Sequence, residues 1–416
     1  MIKDSKISLF RIVDYLIIFL VILNSGYALT TGMNDMLLYS QIVLLGLIIV
    51  ANGRFFKLPK RDIRQIVIIV MVVSMASAFI INMDVGAFLT YLHCALYIAI
   101  AYLINLVYDP KSIISAFIKI MRVVAIASVT VSFLNLFIPV SLYSFTFTNG
   151  SDVKYYTLGI VNYNKATYLT QSRACGIFWE PGLYAGFLGL TSMFELITSK
   201  NSREIWWLCL YCVAIFFTYS TAGYIYILMI IILALSSKFK SKGSIIVFSV
   251  IGLALLFCII NIDLVTSLLI KISPNVFSKI LWRNESYLTR SMSPIADLII
   301  ILRHPFGVGY GSIQDVRVET IQSMGEDVSL STSTLTYHGA CCGVLFLLAY
   351  NVLWIKNLIF IKKDLIFKIL AVILFAMILT SNPMYNNQFI WIFLFFPFTR
   401  INNGERESLN NSGIGE

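Results

Sequence analysis

Two arginines mark the places where this chain could do chemistry. Arg173 heads the run Ser172-Arg-Ala-Cys-Gly-Ile-Phe-Trp179-Glu180-Pro181-Gly182. Arg290 heads a second run that passes through Pro294 and Asp297 to Arg303-His304-Pro305-Phe306-Gly307-Val308-Gly309-Tyr310-Gly311. A guanidinium keeps its charge and grips a phosphate through two parallel hydrogen bonds. Arginines placed this way suit an anionic ligand, such as a lipid phosphate or diphosphate, and would stabilise charge developing on a leaving diphosphate. Proton transfer would fall to Glu180 or to a histidine, His304 or His338. Arg303, Tyr310, Trp179 and His338 are candidates to shape the site and bind its substrate.

Ordinary structural roles stand beside these. Pro181 suits the first turn of a helix, and Glu180 just before it suits the helix dipole. Tryptophan and tyrosine form belts at membrane interfaces, arginine snorkels there, and a histidine at a helix end often caps it. The Gly307-x-Gly309-x-Gly311 spacing is no nucleotide cradle, because no strand precedes it and no Lys-Ser/Thr follows it. Neither stretch holds a DxD motif, and no Cys/His spacing reads as a zinc site, so neither a metal nor a cofactor is called for. The seven cysteines form no disulfide framework.

The elements that must position these residues follow from the pattern around them. Ser293 and Pro294 read as an N-cap and a first helical residue. The run Ile295–Leu302 is apolar except for Asp297 and too short to span a bilayer, which predicts a short interfacial helix over 293–303. Arg290 at its start and Arg303 at its end would lie about 19 Å apart at the usual helical rise. Arg290 is therefore expected to work with Arg173 rather than with Arg303. The His304-Pro305 step stops the helix, and the glycines allow close backbone approach.

Of the 416 residues, 58% are hydrophobic and 12% charged, against about 25% charged in a soluble domain. Apolar runs of spanning length recur near 10–28, 36–52, 65–83, 86–107, 113–139, 182–199, 204–219, 221–237, 244–261, 339–356, 364–381 and 386–400. This predicts an all-α polytopic membrane protein with about twelve transmembrane helices. The unbroken apolar stretch 205–235 is read as a tight hairpin turning near 220–223. The net charge of +10 comes from lysines and arginines clustered in every second loop, as the positive-inside rule expects, so nucleic acid is not the implied partner. The alternation puts both termini in the cytoplasm and two large loops, 140–181 and 262–338, outside. The first apolar run reads as a retained span and the tail after Arg400 as disordered.

The chain resembles the O-antigen polymerase (Wzy) family of the polymerase and ligase superfamily. The likeness rests on an Arg ahead of Gly-Ile-Phe-Trp-Glu-Pro-Gly before a middle span, on an Arg some fourteen residues ahead of His-Pro-Phe-Gly-Val-Gly-Tyr-Gly, and on Gly339-Ala-Cys-Cys-Gly343 opening the span after the large loop. It implies a GT-C-like, metal-independent glycosyltransferase of the bacterial inner membrane. Such an enzyme joins undecaprenyl-diphosphate-linked oligosaccharide repeats into O-antigen or capsular polysaccharide, with Arg173 and Arg290 as its essential arginines. It implies a lipid bilayer around the chain, and a chain-length regulator and a flippase of the same pathway as partners. The ligase branch carries a His-Asn pair shortly before the Gly-x-x-x-Gly, where this chain reads Ser329-Leu-Ser-Thr-Ser-Thr-Leu335. A transporter of lipid-linked sugars is the non-enzyme alternative. It would be expected to carry charges inside its spans, and this chain has few there, chiefly Arg122 and Glu195.

Overall fold

A computed structural model of the chain describes residues 15–26, 34–52, 63–148, 153–166, 172–198, 204–238, 285–325, 333–361 and 363–396. The expected span at 244–261 and the first part of the large loop lie outside these residues. The described residues are mostly helical. Three of their helices are long and apolar enough to cross a membrane, over Ile63–Asn82, Val85–Val107 and Pro110–Asn135, which fits a helical membrane protein. The chain divides into two compact units. One comprises Met1–Ile120, Met292–Lys362 and Pro383–Glu416, the other Met121–Ser291 and Lys363–Asn382.

In the first unit, α1 (15–23) and α2 (Asn34–Asn52) are followed by α3 (Ile63–Asn82). The chain reverses through Met83, whose φ of 49° is unusual for a side chain of that size, and a single 3-10 turn at Val85–Ala87 leads into α4 (Phe88–Val107). Tyr108 turns extended and Pro110 opens α5 (Pro110–Asn135), as its missing N–H and fixed φ favour. Downstream come α9 (Glu285–Arg303), which belongs to this unit from Met292 on, α10 (Gly309–Ser323), α11 (Thr334–Cys342), α12 (Val344–Ile359) and α14 (Gln388–Leu394). Helix α12 packs on α3, and α14 packs on α4. Phe117 of α5 stacks on Phe389 of α14, ring centroids 4.0 Å apart.

The second unit contains the rest of α5, the four strands β1 (Phe145–Thr148), β2 (Val153–Thr157), β3 (Asn162–Ala166) and β4 (Arg173–Gly176), then α6 (Pro181–Thr198), α7 (Glu204–Phe216), α8 (Thr221–Lys238) and α13 (Leu365–Ser381). Helix α6 is buried on all sides from Pro181 to Leu196. It packs against α7, α8 and α13, as a helix apolar all round must. The 205–235 stretch breaks into α7 and α8 through residues 217–220, so the expected hairpin is present.

Three expectations are corrected. The fold is mostly helical, as expected of a helical membrane protein, but the 140–181 segment, expected only as a loop, adds an antiparallel sheet of order β1-β2-β3-β4. Its Phe, Tyr, Thr and Val residues suit a pleated surface, and Gly159 at φ +84° turns β2 into β3. The helix expected over 293–303 begins at Glu285 and holds Pro294 inside it. Pro294 is thus not a helix start, and it leaves the Arg290 carbonyl without its N–H partner. The span expected over 339–356 is broken at Gly343, φ +96°, into α11 and α12. Within the last expected span, 386–400, the described residues, which end at 396, are helical over the short α14.

Candidate functional site

The second unit holds four of the sequence-derived candidates, Arg173, Trp179, Glu180 and Arg290. Arg173 opens β4 opposite Asn164 of β3 and donates from Nε to the Thr218 carbonyl at 3.1 Å. Trp179 and Glu180 sit half-buried between β4 and α6, and the Glu180 carbonyl accepts the Tyr184 N–H at 3.1 Å, inside the first turn of α6. Burial pushes the Cys175 thiol up to about 12, against the pull of the Arg173 guanidinium, so this cysteine is inert as a nucleophile. Burial likewise pushes the Tyr155 hydroxyl up to about 12, with the Cys175 and Glu180 charges adding to it. Arg173 and Glu180 thus act on a common neighbour, Cys175. Arg290 lies on α9, and its side chain is outside the described residues.

A cavity of about 340 Å³ opens against the other face of the sheet, within the range of ligand-sized clefts. Ser132 and Asn135 of α5, Tyr156 of β2, Tyr163 and Lys165 of β3, and Tyr219 of the α7–α8 turn line it. The Tyr163 hydroxyl donates to the Ser128 carbonyl at 3.0 Å and accepts from Ser132 Oγ at 2.8 Å, which fixes its ring. Val140, Tyr156, Val161, Tyr163, Ala174 and Phe217 form the small core beneath. Arg173 itself does not line this cavity: paired with Asn164, it lies on the opposite face of the sheet from Tyr163 and Lys165. Its neighbour Ser172 lines the wall, and the carbonyl that Arg173 holds belongs to Thr218, between the lining residues Phe217 and Tyr219. Tyr219 has φ 47°, a strained backbone that functional sites often retain. Tyr156 and Tyr163 line the cavity, while Tyr155 lies on the opposite face of β2.

In the first unit Arg303 and His304 are exposed at the end of α9. Tyr310 and His338 touch. The His338 Nε2 faces the Tyr385 carbonyl at 3.1 Å, and a carbonyl can only accept, so Nε2 carries the proton. Nδ1 therefore accepts from the Tyr310 hydroxyl at 2.8 Å. Both ring nitrogens are committed within the protein, and burial pushes the imidazole down to about 4. His338 is a neutral packing residue in this geometry, and Tyr310 is its partner.

The glycine run is filled by the protein itself. A Cβ on Gly307 would meet the Cys341 carbonyl oxygen at 2.3 Å, and one on Gly309 would meet Asp84 Oδ2 at 2.7 Å. Asp84 accepts the Gly311 N–H at 2.8 Å, so a carboxylate already occupies the N-terminus of α10, where a phosphate could otherwise bind. The glycines serve close packing of α10 against α11 and the α3–α4 turn.

Sequence reasoning passed over two ion pairs. Arg317 of α10 donates from Nε and Nη2 to Asp297 Oδ1 at 3.0 and 2.7 Å, and Thr336 donates to Oδ2 at 2.8 Å. Burial pushes Asp297 up from its ordinary range while Arg317 opposes it. In the second unit Arg122 grips both oxygens of Glu195 at 2.8 and 3.0 Å, with Tyr211 donating to Oε1 at 2.9 Å. The signal was present: a lone charge in an apolar helical run needs a buried partner. Among the described residues no group of His, Cys, Asp and Glu could hold a metal ion. No protein-family model matches the chain, and no curated protein matches it.

Proposed function

We propose that this chain is a membrane-bound polymerase of polyprenyl-diphosphate-linked oligosaccharide repeats, of the O-antigen polymerase type. The observation that carries the reading is a ligand-sized cavity with tyrosine and hydroxyl-bearing walls at the start of β4, where Ser172 lines the wall and the next residue, Arg173, heads the run through Gly-Ile-Phe-Trp-Glu-Pro-Gly into α6. Aromatic faces and hydroxyl or amide groups are what sugar rings need, apolar packing on one side and hydrogen bonds around the edge. The Arg173 guanidinium supplies the charge for a diphosphate. In this mechanism Arg173, with Arg290, binds the donor diphosphate and stabilises the charge released as the glycosidic bond to it breaks. Glu180 accepts the proton of the attacking acceptor hydroxyl. The tyrosine-lined cavity holds sugar rings of the repeat. The mutual engagement of Arg122 and Glu195 supports an enzyme over a transporter, because it ties up two of the few charges inside the spans.

The test is the polysaccharide made by cells carrying Arg173→Ala or Arg290→Ala at normal protein level. The reading expects loss of long chains with single repeats still attached to their acceptor. Unchanged long chains would remove these residues from the mechanism. Loss of even the single repeat would mark a ligase instead.

A further inference from the structure

The sheet face that walls the cavity carries a charge pattern that the polymerase reading does not use. In the antiparallel pairing of β2 with β3, Lys154 lies directly opposite Lys165, and Tyr156 directly opposite Tyr163. Side chains alternate along a strand, so the two lysines and the two tyrosines share one face. Directly opposed residues on such a pair have their Cβ atoms about 4.5–5.5 Å apart, and like charges there destabilise the sheet. Among the described residues no carboxylate pairs with either lysine. Lys165 lines the cavity and Lys154 beside it is exposed. The remaining polar wall is neutral: Ser132, Asn135, Ser141 and Ser172. The cavity thus has a neutral, hydroxyl-rich body and a doubly cationic edge.

We infer that this cavity takes a saccharide bearing an anionic group, a carboxylate or a phosphate, seated against the Lys154–Lys165 pair. The saccharide part rests on the polymerase reading, whereas the anionic part rests on the lysine pair alone. The anion would relieve the repulsion between the two ammonium groups and accept a charge-assisted hydrogen bond from Lys165. The sugar ring would pack on the tyrosine faces and share hydrogen bonds with the hydroxyl and amide groups of the wall. The chain would then select repeats carrying an acidic sugar or a sugar phosphate over neutral ones.

The experiment is ligand titration of the full-length protein in detergent, with four probes: a glucuronic-acid-containing disaccharide, its neutral glucose counterpart, glucose 1-phosphate and inorganic phosphate. The inference expects one or both anionic saccharides to bind at least about tenfold more tightly than the neutral disaccharide, the size of one charge-assisted hydrogen bond. Lys165→Met should abolish that preference while leaving the weaker neutral binding in place, and Lys165→Arg should keep it. Lys154→Met should weaken the preference in part without lowering the thermal midpoint, because it removes a like-charge contact. Equal binding of neutral and anionic saccharides, absence of saccharide binding, or a preference that survives in the Lys154→Met/Lys165→Met double variant would overturn the inference. Inorganic phosphate binding as tightly as glucose 1-phosphate would overturn its saccharide part. These outcomes are separate from the Arg173→Ala cell assay. Long chains lost in that assay, with no anionic preference here, would leave the polymerase standing and the selectivity refuted.

Discussion

Arg317 and Asp297 form an ion pair with both side chains out of water, at 1% and 0% exposure. Two guanidinium N–H groups converge on one carboxylate oxygen and a threonine hydroxyl holds the other. The guanidinium also lies over the Tyr337 ring, 5.4 Å from its centroid, and Tyr337 stacks on Tyr385. Such a pair joins α9 to α10, yet its net worth is small next to the cost of breaking it. Removing one partner leaves a buried charge alone, at about 3–5 kcal/mol, whereas replacing both by apolar residues of similar volume is often neutral. Asp297→Leu or Arg317→Met alone should therefore lower the thermal midpoint of the detergent-solubilised protein far more than the double substitution does. Additive losses would mean that the two side chains are not coupled.

Two glycines with nearly the same backbone separate conformation from packing. Gly307 and Gly325 have φ of +84° and +81°. A Cβ on Gly325 meets nothing within 4 Å, whereas one on Gly307 meets backbone atoms of Cys341 and Gly343 at 2.3 to 2.7 Å. Gly325→Ala should cost only the left-handed penalty, about 1–2 kcal/mol. Gly307→Ala should cost clearly more, since backbone rather than a movable side chain is in the way. Thermal unfolding of the two variants decides it, and equal losses would refute the close packing of α10 on α11.

Much of this was legible in residue pattern. Pro181 marks the start of α6 because a missing N–H is harmless there; the 205–235 stretch is too long for one helix, and the basic residues on both its flanks call for a hairpin, whose turn falls at 217–220 rather than 220–223. The sheet was not legible. Its strands are four or five residues long; β1 alternates as Phe-Thr-Phe-Thr, but β2 and β3 interleave Lys, Asn and Thr with aromatics and no apolar run marks the sheet. The glycine run was recognised as a place of close approach, but what approaches it, Asp84 and the Cys341–Gly343 backbone, lies far away in sequence. The same holds for Asp297, whose need for a partner is local and whose partner, Arg317, is not.

His338 gives the protein a pH dependence of definite sign. Its imidazole is held neutral down to about pH 4 by burial, while an unfolded histidine titrates near 6.5. Between these values the unfolded chain binds a proton that the folded one does not. Stability is fully present above about pH 6.5 and falls as pH drops toward 4, by on the order of 3 kcal/mol over the whole window. Thermal midpoints of the wild type and of His338→Asn, compared at pH 7.5 and pH 5, check this. The wild type should lose more on acidification. Parallel losses in both would show that His338 is not the titrating group.

Arg122 and Glu195 differ in exposure, at 28% and 4% of their side chains, and that asymmetry predicts unequal effects. If Glu195 is replaced by Gln, the guanidinium keeps its place 4.3 Å over the Trp207 ring and its route to solvent. If Arg122 is replaced by Met, the Glu195 carboxylate is left buried with only the Tyr211 hydroxyl, and it must take up a proton or stay charged without a counterion. Arg122→Met should therefore lower the thermal midpoint more than Glu195→Gln. Arg122→Lys should rescue only part of the loss, since an ammonium cannot bridge both carboxylate oxygens as the planar fork does. Measured at neutral pH, an equal or reversed order would show that the pair is held by Trp207 stacking rather than by the carboxylate.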